Sequence, residues 1–540
     1  MRARNLLFWV VCAGALLAFK ASVFPSAEAP ARPATRGEAA SLGPAVERVD
    51  AAFEQAWREQ QLRPAAAAPD LAVARRLSLA LGGTIPSLEE IRHFESLPPD
   101  SRLRQWLAQR LADRRYADYV AERLARAYVG VDDGPFLLYR RRRFVSWLAE
   151  QLATNQPYDR LVRHLIADSG LWTDTPATNF ITVTIRPDQG EGPDANQLAA
   201  RVSRAFLGVR LDCAECHDHP FESWKQRDFQ SLAAFFGSTR HSLRGIRDVA
   251  GDYQVEDPKT GEMATIPCGV PFAKELLGAS GSDRQRLAAW VTHRQNRAFA
   301  REAVNRAWAL MFGRPLVEAI DSLPAAGPFP PALEILADDF VEHGANWQRL
   351  LEIIASSRVF CLDSKLDTAS AADEENNARH EAHWAVFPLT RLRPEQVVGA
   401  LLQSASLATI DSGSHILVRL ARAIGQRDFV QRYGDSGAEE FEAHGGTIPQ
   451  RLLMMNGQIA EDKTKDSLLT NAATQIAAFA PDDATAIETA MLAVLTRRPN
   501  DEEGRYFHER LAGSGGAERS RRVGDLYWTL LNTTEFSWNH

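Results

Sequence analysis

A chain of 540 residues is too long for one ordinary core, so two or three domains are the starting expectation. Apolar residues make up 45% and charged residues 24%, a balance that suits a packed globular protein and argues against wholesale disorder. The net charge of −7 comes without a dominant basic block, which excludes a nucleic-acid binder of the usual kind.

The first residues read as an address. Arg2 and Arg4 precede the apolar run Leu6 to Phe19, and Lys20 follows. This is a positively charged n-region with an h-region too short for a comfortable bilayer span. Ala27-Glu28-Ala29 offers a small-residue cleavage site, and Pro30 opposes it. Residues 1–24 are therefore a signal peptide or, uncleaved, a signal anchor. Export to the periplasm or cell envelope is expected, with membrane contact only through this segment. Residues 25–45, rich in Ala, Pro, Gly and Ser, read as a linker.

From Val46 the pattern turns helical. Val49, Phe53 and Trp57 fall on one face, and Ser87 with Glu90 makes a capping box for a helix carrying Ile91 and Phe94. Further helices are expected near 101–113, 117–130, 137–153 and 158–168. Arg140 to Arg143 read as a solvated helix face. Phe180 to Ile185 alternates β-branched residues with threonine and predicts a short strand. A helix from about Asn196 runs through Phe206 into a cysteine motif, and another spans Asp228 to Phe236. Residues 241–283, punctuated by Gly and Pro, read as a connection between an N-terminal helical domain (46–240) and a C-terminal one (284–540). Asp363 to Arg379 reads as an exposed loop. Ile487, Met491 and Leu495 mark a later helix, and Gly524 to Leu531 the last. Pro86 to Phe94 and Pro499 to Phe507 share one spacing, which an acidic helix start explains better than paired catalytic carboxylates. The fold class is mainly α: two helical domains with minor short strands.

The chemistry concentrates in Cys213-Ala214-Glu215-Cys216-His217. Of the five cysteines, Cys12 belongs to the signal, and four in a chain this long are no disulfide framework. Two thiols separated by two residues can reach both vinyl groups of one porphyrin, and the next residue, His217, would face the iron as axial ligand. Covalently bound haem c is the expected cofactor. Zinc or another divalent metal on Cys213, Cys216, His217 and His219 is an alternative, as is a disulfide between the two cysteines. Met263, 46 residues after His217, is a candidate distal iron ligand, with His241 and His293 weaker ones. Met311 and the pair Met454-Met455 read as core. Phe206, Leu211, Phe221 and Phe235 are expected to line a haem cleft. Trp224 to Asp228 could serve propionates or a substrate, or simply start the Phe229 helix.

The run Phe206 to Phe221 closely resembles the central motif of the planctomycete-type, cytochrome-associated exported family catalogued as domain of unknown function 1549. Arg75-Arg76-Leu77-Ser78-Leu79 and Asn155-Gln156-Pro157-Tyr158-Asp159 carry its upstream hallmarks. Its usual partner, domain of unknown function 1553, is resembled by Ala303 to Trp308 with Phe312-Gly313-Arg314 and by Arg393-Pro394-Glu395-Gln396. Ile448-Pro449-Gln450 with Met455-Asn456-Gly457 and Leu531 to Phe536 continue the likeness. The resemblance spans about 65 to 540. It implies an exported protein, with exported sulfatase-like proteins as encoded neighbours. The function expected is electron transfer or haem-based redox chemistry in the cell envelope with an unknown redox partner. A metal-binding envelope enzyme or structural protein, and a non-catalytic scaffold, are the alternatives.

Overall fold

The computed structural model describes residues 41–130, 138–186, 192–218, 222, 224–256, 261–324, 327–366, 373–410 and 471–540. Residues 1–24, where a signal is expected, His219, Phe221 and Met454-Met455 lie outside them. The protein is mainly helical, with three short two-stranded antiparallel sheets among the described residues.

The helices form where periodicity and caps agree. Gly43–Glu59 buries Ala45, Val49, Phe53 and Trp57. Leu88–Ser96 starts on a closed capping box: Ser87 Oγ accepts from Glu90 N–H (3.0 Å) and Glu90 accepts from Ser87 N–H (2.9 Å). Asn500 and Glu503 repeat the device for Asp501–Leu511, so the shared spacing is a helix start in both places. Arg102–Ala112, Arg114–Val129, Arg141–Ala153 and Tyr158–Ala167 follow the expected order. In the basic run, Arg141 bonds Gly130 O and Glu122, and Arg143 bonds Thr173 O.

Phe180 to Ile185 is not a strand. Pro176–Thr178 is a 3₁₀ turn running into the short helix Asn179–Thr182, and every residue from 177 to 185 is buried. With both faces covered, alternation carries no in–out meaning. Thr178 Oγ1 donates to Thr175 O and Thr184 Oγ1 to Ile181 O, local bonds that favour turns over a ladder, while Thr182 Oγ1 is buried without a partner. A second departure lies in the 363–379 stretch, where Asp373–Ala382 is helical. Its last turn is tied down: Arg379 donates to Gln60 O, and His380 is buried.

Residues 241–283 hold two small hairpins. Thr239–Ser242 pairs with Gly245–Asp248, and Gln254–Glu256 with Met263–Thr265. Gly245 has φ +91°, and a Cβ there would lie 2.0 Å from Gly170 O, so only glycine lets this hairpin close on the preceding segment. One hydrophobic core runs from Ala45 to Phe387 and takes residues from both sides of this connection. A second cluster is built from 392–536, with Leu79 and Ile85 reaching into it from the first half.

The helix Asp70–Gly82 joins the two clusters. Arg75 and Arg76 are both 1% exposed. Arg75 donates to Val494 O and Phe536 O. Arg76 donates to Phe360 O, Leu362 O and His540 O, and its guanidinium lies 3.7 Å from the centre of the Phe387 ring. Burial pulls the two guanidinium groups down to about 10 and about 9, so both stay charged at neutral pH.

Candidate functional site

The cysteine motif is launched from Ala195–Leu207, whose N-terminus is capped by Asp194 accepting from Gln197 N–H (3.0 Å). The helix ends on Gly208 in the left-handed region (φ +62°). A Cβ at 208 would lie 3.0 Å from Leu323 Cδ1, and Gly208 O already accepts from Leu323 N–H. This glycine therefore fixes both the stop and the exit direction.

Beyond it the segment alternates anchors and exposed groups. Arg210 donates twice to Asp321 Oδ2 (2.8 and 3.0 Å), and Leu211 is fully buried. Asp212–Ala214 is a single 3₁₀ turn with Ala214 fully buried, while Cys213, Glu215, Cys216, His217 and Asp218 are exposed or nearly so. One small apolar side chain thus pins the turn and leaves the thiols and imidazole on its outer side.

Hydrogen bonds hold the rest. Gln226 Nε2 donates to both Glu215 O and Cys216 O (3.1 Å each), and Asn196 donates to Glu215. Asp218 accepts from Gln226 N–H and Lys225 Nζ (3.0 Å each), and these two donors hold its carboxyl below the usual range. His217 Nδ1 lies 2.7 Å from Asp218 O. A carbonyl oxygen only accepts, so Nδ1 carries a proton, and in the neutral imidazole Nε2 keeps its lone pair.

The predicted site residues fall in three groups. Cys213, Cys216 and His217 come together on one exposed turn, and both thiols are free, as are Cys268 and Cys361. His219 and Phe221 are outside the described residues. The remaining candidates lie elsewhere: Met263 is 58% exposed on its hairpin strand, paired with Glu256. His241 sits in the first hairpin, His293 takes Gln295 N–H at its Nδ1, and Met311 is buried core. Among the described residues no three His, Cys, Asp or Glu side chains converge as a metal-binding set.

The expected cleft walls are displaced. Phe206, Leu211 and Phe235 are fully buried in the main core, so they support the motif from beneath and line no open cleft. The hydrophobicity of these positions is readable in sequence; which neighbours cover them is not. A cavity of about 240 Å³ does open beside the motif, and Leu207 and Val209 before it and Trp224 after it lie on its wall. Lys225 and Arg227 are exposed, and Asp228 accepts from Lys225 N–H at the start of Gln226–Ala233.

The family model PSCyt2, a protein of unknown function (DUF1549), matches residues 48–241. The model PSD1, a protein of unknown function (DUF1553), matches residues 283–417, and the two together cover more than half of the chain. No curated protein and no solved structure matches it. With the cysteine turn inside the first match, the chain carries a PSCyt2 (DUF1549) domain followed by a PSD1 (DUF1553) domain.

Proposed function

We propose that this protein is an exported c-type haem protein of the cell envelope, serving electron transfer or haem-based redox chemistry. The observation that carries the reading is the state of three neighbouring groups. Two free, exposed thiols sit three residues apart, and the adjacent imidazole has its Nδ1 proton committed to Asp218 O, leaving Nε2 available as a ligand. A backbone carbonyl fixing the tautomer is the usual way proteins orient a metal-binding histidine. The cytochrome element of the family name agrees with this reading.

Cys213 and Cys216 would hold a haem covalently through their thiols, and His217 Nε2 would bind its iron. The bound haem would supply one-electron chemistry. The chain's own contribution is positional. Ala214 and Gln226 hold the turn, Asp218 fixes the imidazole, and the exposed position keeps the site open to a redox partner.

The test is expression with an export route and working haem-attachment machinery, followed by haem staining of denatured protein and an absorption spectrum. Wild type should carry one covalent haem. The Cys213→Ala, Cys216→Ala variant should carry none, and His217→Ala should keep covalent haem but change the spectrum. Wild type that is exported, folded and colourless overturns the proposal, and stoichiometric zinc in that protein would identify the metal-binding alternative.

A further inference from the structure

The cavity beside the cysteine turn is built from both family domains. Val209 and Trp224 come from the first, Asn296, Arg301 and Phe329 from the second, and Phe272 from the connection. Three aromatic side chains, Trp224, Phe272 and Phe329, lie on its wall among aliphatic and polar ones. Trp224 and Phe272 have ring centroids 6.0 Å apart, and Phe272 backs onto Trp290 at 5.1 Å. At about 240 Å³ it exceeds the ~150 Å³ that accommodates benzene and falls short of the ~300 Å³ at which drug-sized pockets begin. One ring with one or two substituents fits that space.

Its polar groups, Gln295, Asn296, Arg297 and Arg301, cluster at the start of one helix. Asn296 precedes the 16-residue helix Arg297–Phe312, and its side chain makes no cap bond, so the first-turn N–H groups at the cavity have no side-chain acceptor. Asn296 is 2% exposed; its Nδ2 donates to Trp290 O, while its Oδ1 has no partner. Such a buried acceptor costs stability unless a donor reaches it. One turn further on, Arg301 donates to Glu334 through Nε (2.6 Å), and its guanidinium lies 4.2 Å from the centre of the Phe329 ring. Arg297 is occupied by Glu334 and Asp338.

We infer that this cavity binds a small one-ring carboxylate bearing a hydroxyl group. The carboxylate is taken by Arg301 and the open helix N-terminus, the ring by Trp224, Phe272 and Phe329, and the hydroxyl donates to Asn296 Oδ1. An uncapped helix start beside a cation suits an anion, aromatic side chains suit a planar ring, and an unpaired amide oxygen calls for a donor. This assignment does not depend on haem.

Calorimetric titration of the full chain with 4-hydroxybenzoate is the test, with benzoate and phenol as comparisons. Saturable one-to-one binding of 4-hydroxybenzoate is expected. Benzoate should bind about fivefold more weakly for lack of the donor, and phenol at least about tenfold more weakly for lack of the charge. Arg301→Gln should weaken 4-hydroxybenzoate about tenfold with helicity and melting temperature retained. Asn296→Ala should erase its advantage over benzoate while leaving benzoate affinity unchanged. If Asn296→Ala fails to fold, Ala298→Leu, which fills the cavity from the rim of the same helix, should abolish binding. Absence of saturable binding overturns the inference, as does binding that neither Arg301→Gln nor Ala298→Leu alters.

Discussion

The chain carries two charged or reactive motifs of opposite design. Arg75 and Arg76 are buried among main-chain carbonyls of distant segments, and every bond they make is an internal one. Cys213, Cys216 and His217 stand on the outside of a single turn, and the bonds that hold them are made by their neighbours Asp218 and Gln226. Both motifs read as hallmarks in the sequence. The buried pair orders the fold, whereas the exposed trio is ordered by it. A reactive group must keep valences free, whereas a group that organises a core turns its donors toward internal acceptors.

The largest expected effect comes from breaking the buried side. Arg76→Ala leaves three carbonyl oxygens without their donor, each worth ~1–3 kcal/mol when stranded, and a loss of about 4 kcal/mol in denaturant unfolding is expected. A change under about 1 kcal/mol would mean that the carbonyls find other donors, and the contrast between the motifs would weaken.

Gly208→Ala strikes where the two designs meet. It forces a side chain into the left-handed region and against Leu323, and a cost of about 2 kcal/mol is expected. On the proposed haem reading, the same variant should attach haem less completely under identical expression, because the exit direction of the turn changes. Full attachment with unaltered stability would show that the glycine is dispensable.

A smaller effect is expected from pH. Glu302 lies behind Gly208, is fully buried, and donor contact from Arg306 does not offset burial, which lifts its carboxyl to about 7. The unfolded chain releases this proton near 4.5, so between about pH 4.5 and 7 the folded state holds more protons. Stability should therefore fall as pH rises through that window, by on the order of 2 kcal/mol. Glu302→Gln should flatten this slope in unfolding curves taken at pH 5, 6 and 7. An unchanged slope would assign the dependence to other groups.

What was legible in the sequence was local. The Ser87–Glu90 box, the Val49-Phe53-Trp57 face and the cysteine turn each depend on residues a few positions apart, and each is found in the structure. Phe180 to Ile185 reads wrongly as a strand because burial on both faces removes the signal that alternation encodes, while the Thr184 hydroxyl, satisfied by Ile181 O, stabilises a turn. Phe206, Leu211 and Phe235 were readable as apolar, but their covering comes from distant parts of the chain. The cavity was illegible for the same reason. In the sequence Trp224 stands out only by its place after the motif, and nothing near it announces Asn296 or Arg301, which share its cavity through tertiary packing. The metal alternative on His219 falls outside the described residues.

The bond from Arg76 to His540 bears on how the protein is made. Its two ends are 464 residues apart, and Arg75 likewise waits for Val494 and Phe536. As the chain emerges from the ribosome, the helix Asp70–Gly82 appears early with two guanidinium groups whose acceptors have yet to be synthesised. Closing so long a loop is slow, and the surfaces that await it are exposed to aggregation. Final assembly of this helix is therefore a late event in biogenesis, and an escort that shields the waiting segment would act on the first hundred residues rather than on the last.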